Sequence, residues 1–340
     1  MDGIRLEFWG WGCLSLFLHY LFLRSQLGFL DVPNSRSLHD SPTKKSAGIV
    51  FGLLFGIGLL ALAPAEARWP TLLGFSLFWA LGLLDDFLGL PVLLRLFLEL
   101  SFFVFWLYFS QKSLQFLGVP FSGLFVPIVA ILFVYFINLV NFMDGMDGYA
   151  GLNFLLFLAF APGLFSLGPS TQTVAFVFLF SFFGFLVFNL PHAKFFMGDV
   201  GSLSLGFFWV TLPFLEDSSS PFELSQLFYL CPWFWIDGTF TIAKRLLEKK
   251  NILQAHREHI YQRLTATKLG KRGSLVVCLF LSLPGLFCGI YFLALPPDKR
   301  FLALACVLGF YICLYFCLSR FLTRLSSPNF LGQAHPSEEI

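Results

Sequence analysis

The sequence predicts an all-α integral membrane protein whose polar residues gather at one membrane face. Of its 340 residues, 57% are hydrophobic and 12% are charged, whereas charged residues make up about a quarter of a typical soluble domain. Apolar runs of roughly 17 to 25 residues, the length that crosses a bilayer as a helix, recur along the whole chain. Lys and Arg concentrate in alternate loops between these runs. Together these observations predict a polytopic protein of about eleven transmembrane helices.

The apolar runs place the helices near residues 6–28, 47–63, 69–84, 92–110, 121–140, 149–168, 172–188, 200–215, 222–240, 273–295 and 301–322. They are expected to form a single membrane domain over residues 1–325, followed by a short extramembrane tail over residues 326–340. Arg24 lies near the end of the first run and no small-residue cleavage site follows it. This run is therefore expected to remain as a helix rather than to be removed as a signal peptide.

Loop charges orient the chain, since cytoplasmic loops of membrane proteins carry an excess of Lys and Arg. An N-terminus outside the cell puts loops 31–46, 85–91, 138–148, 189–199 and 241–272 in the cytoplasm, and the last of these holds nine Lys and Arg. Five aspartates then lie on the cytoplasmic face: Asp85, Asp86, Asp144, Asp147 and Asp199. The orientation uses Lys and Arg alone, so this clustering is an independent observation.

The five aspartates are the main indication of function, because one charged carboxylate at mid-bilayer costs roughly 3 kcal/mol. We expect them to share water, a cation, or both. Asp85 and Asp86 precede Gly89 and Pro91, which end the helix. Adjacent helical residues point about 100° apart, so one carboxylate can face a cavity while the other faces a different partner. A solvated acidic helix end is the alternative.

Arg95 and Glu99 lie one helical turn apart in the next apolar run. They can pair with each other, or Arg95 can reach an anionic ligand.

A polar residue recurs at every third position at the end of the fifth run: Asn138, Asn141, Asp144 and Asp147. Such a row predicts one polar stripe on a helix. Gly145 and Gly148 permit a tight backbone break where a ligand can approach. Amides and carboxylates together can bind hydroxyl, amide or nucleobase groups and a hard cation. A simple turn between two helices is the alternative.

Asp199 lies between two glycines, Gly198 and Gly201, at the start of an apolar run. Mg²⁺ prefers one or two carboxylates plus substrate phosphates to a full protein cage, so this setting suits a divalent cation. Phe195 or Phe196, just before it, can stack on a flat base. With 48 Phe in the chain, lipid-facing anchors are the alternative for these rings.

Two basic loops are candidates for phosphate binding. His256 and His259 lie three residues apart beside Arg257, on one side of a helix if the loop is helical. Zinc would need a third ligand, which the neighbouring sequence lacks, so a positively charged phosphate pocket is the stronger interpretation. A basic segment on anionic lipid is the alternative. In loop 31–48, the side chains that can reach phosphates are His39, Lys44 and Lys45. A positively charged loop that anchors the chain at the cytoplasmic face is the alternative.

Five segments within residues 31–264 carry a family resemblance: NSRSLHDSPTKKSAG, GLLDD, NLVNFMDGMDGYAGL, KFFMGDVGSLSLG and HREHIYQRL. In this order they resemble the polyprenyl-phosphate N-acetylhexosamine-1-phosphate transferases. The first and last segments are most similar to the WbpL and WecA branch, which begins O-antigen or related surface glycans. The peptidoglycan enzyme MraY usually carries a run of adjacent histidines instead.

The resemblance implies an enzyme of the bacterial inner membrane that uses Mg²⁺, for which Mn²⁺ can substitute. Such an enzyme transfers a sugar 1-phosphate from a UDP-sugar to undecaprenyl phosphate and releases UMP. By the family's motifs, Asp199 holds the magnesium ion and Phe196 stacks on uracil. The other implied roles are a nucleotide-sugar pocket at Asn141, Asp144 and Asp147, an acceptor phosphate beside Asp85 and Asp86, and phosphate or sugar binding by His256, Arg257 and His259. Asp237 matches a family acidic position of less defined role.

Two departures from the family pattern are Ala47-Gly48, where Gly-Gly is usual, and His192, where a small or apolar residue is usual. An MraY-like enzyme is the nearest alternative function. An aspartate-lined transporter belongs to another class, but transport sites lie near the bilayer midplane and no internal repeat is visible. A CDP-alcohol phosphotransferase would carry a two-aspartate motif that this sequence lacks. The expected partners are the UDP-sugar, undecaprenyl phosphate and membrane lipids, without nucleic acid, and a homodimer stays open.

Overall fold

The computed structural model describes residues 6–33, 38, 41–110, 112–121, 123–165, 167–215, 221–251 and 256–325. Helix is the dominant structure in these residues, which confirms the prediction of a mostly helical, polytopic membrane protein. Among them, eight helices are long and apolar enough to cross a membrane, and two shorter apolar helices accompany these. The count of eleven spans and the orientation stay predictions. The predicted tail 326–340 lies outside the described residues.

The helices, numbered in chain order, are α1 (Leu6–Arg24), α2 (Gly48–Leu62), α3 (Ala65–Leu88), α4 (Val92–Ser110), α5 (Val126–Met143), α6 (Tyr149–Phe165), α7 (Pro169–Asn189), α8 (Gly198–Thr211), α9 (Pro232–Leu247), α10 (Ile260–Thr265), α11 (Gly270–Phe292) and α12 (Pro297–Leu325). A two-stranded antiparallel sheet joins β1 (Phe29–Asp31) to β2 (Thr43–Lys45). A second sheet has the order β4-β3-β5, with β3 (Leu114–Phe116) antiparallel to β4 (Val119–Pro120) and parallel to β5 (Phe222–Glu223).

The ninth predicted span, residues 222–240, is not one helix. It is divided into β5, a 3-10 helix over Leu224–Tyr229, and α9. The Glu223 carboxylate explains the division, because it accepts the backbone N–H groups of Leu117 (2.8 Å) and Gly118 (2.9 Å) and holds this segment in the small sheet. Pro232, which has no backbone N–H, then begins α9.

Helix α8 lies at the centre of the bundle. Its residues from Val200 to Thr211 are all buried, and it packs against α2, α3 and α5. Two glycines on neighbouring helices allow this approach: a Cβ at Gly48 would overlap the backbone of Gly201, and a Cβ at Gly82 would overlap the backbone of Asp199. The close packing brings the last turn of α3 against the first turn of α8.

Aromatic rings fill the surrounding core. Phe178 of α7 stacks on Phe208 of α8 with ring centroids 4.2 Å apart, and Phe55 of α2 meets both rings edge-on. Other Phe side chains are exposed on the outer faces of the helices, as at Phe97 and Phe301. The many Phe residues therefore serve both internal packing and contact with lipid.

Candidate active site

A cavity of about 390 Å³ opens where α3 and α5 end and α8 begins, near the β1–β2 loop and the segment before α10. It brings together nine of the residues predicted from sequence: Lys45, Asp86, Asn141, Asp144, Asp147, Phe196, Asp199, His256 and His259. Asp31, Asn189, Ser202 and Gln262 line it as well. Residues far apart in the sequence thus form one strongly acidic cavity.

Asp86 is the best connected of these carboxylates. Its side chain is fully buried, and it accepts the backbone N–H groups of Asp199 (3.2 Å) and Val200 (3.3 Å) in the first turn of α8. Ser46 Oγ donates to it at 2.9 Å, and Lys45 Nζ lies 3.3 Å away. A carboxylate that binds N–H groups of a first helical turn acts as an N-cap. Asp86 therefore caps α8 from a different helix.

Asp85 faces away from the cavity, as adjacent positions on a helix require. Its carboxylate forms an ion pair with Arg95 of α4 and accepts the backbone N–H of Leu90 at 2.8 Å. Gly89, in the left-handed region with φ +61°, ends α3 just beyond it. The partners of Asp85 in this arrangement are residues of the protein, and its place beside an acceptor phosphate stays a prediction.

Arg95 and Asn138 belong to the same buried network rather than to the cavity. Arg95 Nε lies 3.7 Å from Glu99 Oε1, and Arg95 Nη2 donates to Asn138 Oδ1 at 3.3 Å. Asn138 Nδ2 in turn donates to Glu99 Oε2 at 2.5 Å. The predicted stripe from Asn138 to Asp147 is therefore interrupted. Asn138 faces α4, while α5 ends at Met143, before Asp144.

Lys44 and Arg257 also lie outside the cavity lining. Lys44 Nζ donates to the carbonyls of Phe22 (2.8 Å) and Ser25 (2.6 Å), so it stabilises the C-terminus of α1 rather than facing a phosphate. Arg257 is exposed. His39, a third predicted phosphate contact, lies outside the described residues.

The backbone on either side of Lys44 holds the cavity wall together. Phe196 donates its N–H to the Lys44 carbonyl (2.7 Å), and Ala47 and Gly48 donate to the carbonyls of Phe196 (3.0 Å) and Met197 (2.9 Å). Phe196 is half-buried and lines the cavity, whereas Phe195 is fully buried among other rings. Of the two candidate stacking rings, the structure places Phe196 where a flat ligand can reach it.

The end of α5 and the loop of residues 144–148 between α5 and α6 supply another wall. Asn141 Oδ1 accepts from Ser202 Oγ at 2.9 Å, which links α5 to α8 beside Asp199. Asp147 lies 3.9 Å from Lys271 Nζ at the start of α11. Removal from water, followed by the charges of Asp199 and Asp147, raises the pKa of Asp144 well above its usual range. The three carboxylates are close enough to repel one another.

His256 and His259 precede α10 instead of lying on it, yet their ring centroids are only 4.8 Å apart. Burial, and next the neighbouring His256, lowers the pKa of His259 to about 3. Burial and the nearby Arg245 also lower the pKa of His256. His259 is therefore uncharged at neutral pH, and the nearest lysines are Lys45 in the cavity lining and Lys271 beside Asp147.

Asn189 is a residue of this site that the sequence interpretation missed. It is buried, its Oδ1 accepts the Gly148 N–H at 2.7 Å, and its Nδ2 donates to the Phe195 carbonyl at 2.9 Å. One side chain thus joins the loop of Asp144 and Asp147 to the loop of Phe196. An Asn-Leu-Pro sequence at a helix end was the available signal, but nothing in it specifies these two partners.

The donor groups of the cavity fit a magnesium ion. Carboxylate and amide oxygens are the ligands that this hard cation prefers, and Asp199, Asp144 and Asn141 offer them at one wall. No group of three or more His, Cys, Asp or Glu side chains in the described part of the chain is arranged as a complete metal cage.

The family model described as glycosyl transferase family 4 matches residues 69–215, which include the Asp85-Asp86 pair, the loop of Asp144 and Asp147, and Asp199. Over these residues the chain is similar to this family. The similarity supports the resemblance carried by the five motifs and an assignment of the protein as a transferase.

Two curated relatives agree. The chain is 27% identical over 276 residues to the probable undecaprenyl-phosphate N-acetylglucosaminyl 1-phosphate transferase of Bacillus subtilis (strain 168), a match that covers 74% of each chain. It is 34% identical over 143 residues to the undecaprenyl-phosphate alpha-N-acetylglucosaminyl 1-phosphate transferase of Thermotoga maritima. The second match covers 39% of this chain and 44% of its relative.

Proposed function

We propose that this protein transfers an N-acetylhexosamine 1-phosphate from a UDP-sugar to undecaprenyl phosphate and releases UMP. The observation that carries the proposal is the cavity itself, where five carboxylates, an accessible phenyl ring and Lys45 meet at the ends of membrane helices, with Lys271 beside Asp147. The names of both relatives support this acceptor, and they make N-acetylglucosamine the first sugar to test.

The cavity suits the nucleotide-sugar donor. Phe196 offers a ring face for uracil, and Asn141 offers an amide for hydroxyl or base groups. Asp199, with Asp144 beside it, would hold Mg²⁺, which when bound offsets the charge of the diphosphate and of the departing UMP. Lys45 and Lys271 add positive charge at opposite walls. The acidic walls would repel a bare diphosphate, so the donor is expected to enter together with its cation.

The acceptor reaches the cavity from the lipid. Leu84, Phe87 and Leu88 are exposed on the last turns of α3, next to Asp86. A prenyl chain lying in the bilayer along this face would bring its phosphate to the cavity. One phosphate oxygen then attacks the β-phosphorus of the UDP-sugar, and the bond between that phosphorus and the oxygen bridging to UMP breaks.

The attacking phosphate needs no protein base at neutral pH. A phosphate monoester has a second pKa near 6 and is largely a dianion already. Asp86 is engaged by four donors from the protein and is placed to hold α8, and with it Asp199, in position. We therefore assign Asp86 to positioning and the chemical step to direct attack.

The sequence around the two histidines favours the branch that begins O-antigen or other surface glycans, in the bacterial inner membrane with the cavity facing the cytoplasm. HREH stands where an MraY-like enzyme has adjacent histidines. The MraY-like function stays the second candidate, and it differs in the sugar that it accepts.

The proposal is tested with the full-length protein in detergent, supplied with undecaprenyl phosphate, Mg²⁺ and a panel of UDP-N-acetyl sugars. We expect UMP release and a lipid product whose mass identifies the sugar. Asp199→Asn should lower turnover by at least about a hundredfold, as expected when a ligand of a catalytic metal is removed. Asp298→Asn, at an exposed first turn of α12, is the matched control and should keep it.

Chelation by EDTA should stop the reaction, and added Mg²⁺ or Mn²⁺ should restore it. A well-folded wild-type protein that forms no lipid product with any UDP-sugar would contradict the proposed function. Normal turnover by Asp199→Asn would contradict the role of Asp199.

A further inference from the structure

Lys44 of β2 is bound at the C-terminus of α1, outside the cavity lining. Its Nζ donates to the carbonyls of Ser25 (2.6 Å), Phe22 (2.8 Å) and Leu23 (3.4 Å), and it lies 4.9 Å from the centroid of the Phe22 ring. A lysine ammonium has three N–H donors and no acceptor. These three carbonyls therefore use its whole hydrogen-bonding capacity, and none of that capacity is left for a phosphate.

The main chain of Lys44 holds Phe196, whose side chain lines the cavity. The Lys44 carbonyl accepts the Phe196 N–H at 2.7 Å, and the Phe196 carbonyl accepts the Ala47 N–H at 3.0 Å. Lys44 also pairs with Phe195 as a parallel β-bridge. Both main-chain hydrogen-bonding groups of Phe196 are thus bound to the segment of residues 44–47. The position of this segment therefore determines the direction in which the Phe196 side chain leaves the backbone.

Buried aromatic rings give the end of α1 a second contact with Phe196. Its neighbour Phe195 is fully buried, meets Phe22 edge-on with centroids 5.6 Å apart, and stacks on His19 at 5.9 Å. Phe22 is shared by the two contacts, since the Lys44 ammonium lies over the same ring. The last turns of α1 thus hold the Phe195–Phe196 pair, although none of the described residues of α1 belongs to the cavity lining.

We propose that Lys44 is a positioning residue that holds the Phe196 ring where it can stack on the base of the donor nucleotide. The inference rests on the proposed function, and it replaces the expectation that Lys44 contacts a phosphate. Stacking of a base on an aromatic side chain contributes roughly tenfold or more in affinity. Dispersion attraction falls by about a quarter to a half when a gap of about 0.5–1 Å opens. A small displacement of residues 44–47 is therefore enough to lose much of this affinity.

The proposal predicts an effect that depends on the flatness of the base. A residue that only stabilises the fold, or one that binds phosphate, changes the affinities of all nucleotides with the same phosphate by the same factor. A residue that orients Phe196 changes only the part of the affinity that comes from the ring. UMP and dihydro-UMP separate the two cases, because they share phosphate and ribose, whereas the reduced base of dihydro-UMP is puckered and no longer aromatic.

The test is equilibrium binding of UMP and dihydro-UMP, each with Mg²⁺, to the full-length protein in detergent. Wild type should bind UMP roughly tenfold more tightly than dihydro-UMP. Lys44→Met keeps the length of the side chain and removes its three hydrogen bonds. It should reduce the ratio of the two affinities below about threefold, while the affinity for dihydro-UMP stays within about twofold of wild type.

Two other lysines give the comparison its controls. Lys45 Nζ lies 3.3 Å from Asp86 at the cavity, so Lys45→Met should weaken both nucleotides by the same factor and keep their ratio. Lys299→Met, at an exposed position in the first turn of α12, is the matched control and should leave both affinities unchanged.

A double mutant determines whether the effect acts through the ring. Phe196→Leu should itself remove most of the difference between the two nucleotides, and adding Lys44→Met to it should change neither affinity by more than about twofold. If Lys44→Met cannot be purified folded, Phe22→Leu carries the test. This variant removes the ring that contacts both Lys44 and Phe195, and it should lower the ratio in the same direction.

A ratio preserved in Lys44→Met, or an equal loss of affinity for the two nucleotides, would overturn the proposal. Equal affinity of the wild type for UMP and dihydro-UMP would overturn it as well. Product formation by the wild type in the transfer assay tests the proposed function separately.

Discussion

The contacts of Asp86 lead to a prediction that separates two roles for an aspartate next to a transferred phosphoryl group. As a base, Asp86 would take a proton from the acceptor, and its replacement by Asn would be tolerated at high pH, where the phosphate is already ionised. As a cap, Asp86 would matter equally at every pH. The two accounts predict different pH profiles for the same variants.

The size of the effect follows from the four groups that donate to Asp86. Asp86→Ala leaves two backbone N–H groups of α8, Ser46 Oγ and Lys45 Nζ without their acceptor. Removing an N-cap costs about 0.5–2 kcal/mol, and the loss of the Ser46 hydrogen bond adds about 1 kcal/mol. The total is about 1.5–3 kcal/mol. Asp86→Asn keeps one accepting oxygen and should lose about half of that.

The assay is turnover at pH 6 and pH 8, together with thermal melting in detergent. Melting temperature and turnover should both fall in the order wild type, Asp86→Asn, Asp86→Ala, and the turnover ratio to wild type should be the same at both pH values. Ser46→Ala, which removes one donor only, should lose about 1 kcal/mol of stability and keep the same turnover ratio to wild type at both pH values. Near-normal turnover of Asp86→Asn at pH 8 with a loss at pH 6 would refute this reasoning and support proton removal.

Three further predictions concern the supporting contacts. Asn189→Leu breaks the link between the two cavity loops and should raise KM for the UDP-sugar roughly tenfold; an unchanged KM would show that the loops hold their places without it. Arg95→Met leaves Asp85 and Glu99 buried without their counter-ion and should lower the free energy of unfolding by about 3–5 kcal/mol, visible as a lower melting temperature; equal melting of variant and wild type would argue against the network. The pKa of His259 is about 3 in the folded protein against 6.5 in the unfolded chain. Below pH 6.5 the unfolded chain therefore binds a proton that the folded protein does not, so the free energy of unfolding falls progressively as the pH falls from 6.5 towards 3. At pH 5 wild type should therefore lose about 2 kcal/mol relative to His259→Gln, and parallel melting curves from pH 7 to pH 5 would contradict this.

The helices were predictable because the length of an apolar run is itself the determinant of a membrane helix. The run at residues 92–110 coincides with α4. The run at 69–84 is longer in the structure, where α3 reaches Leu88. Its polar end stays helical because Asp85 and Asp86 bind other residues of the protein. Hydropathy alone cannot predict such contacts.

The composition of the cavity was largely predictable, but the direction of each side chain was not. Lys44 and Lys45 are adjacent and chemically identical, yet one binds carbonyls of α1 and the other faces the cavity. In the same way, Asp85 pairs with Arg95 and its neighbour Asp86 lines the cavity. Which member of a pair meets a ligand depends on how helices from distant parts of the chain approach each other. The role of Asn189 depends on such approaches entirely.

The cap on α8 also determines the sign of the potential that the helix presents to the cavity. The N-terminus of a helix carries a partial positive charge and commonly binds phosphate directly. In α8 the N–H groups of Asp199 and Val200 are already taken by a carboxylate, and the first turn adds the charge of Asp199. The helix end therefore attracts cations and repels free anions. Under the proposed function, the nucleotide-sugar is therefore expected to enter as its magnesium complex rather than as a free anion.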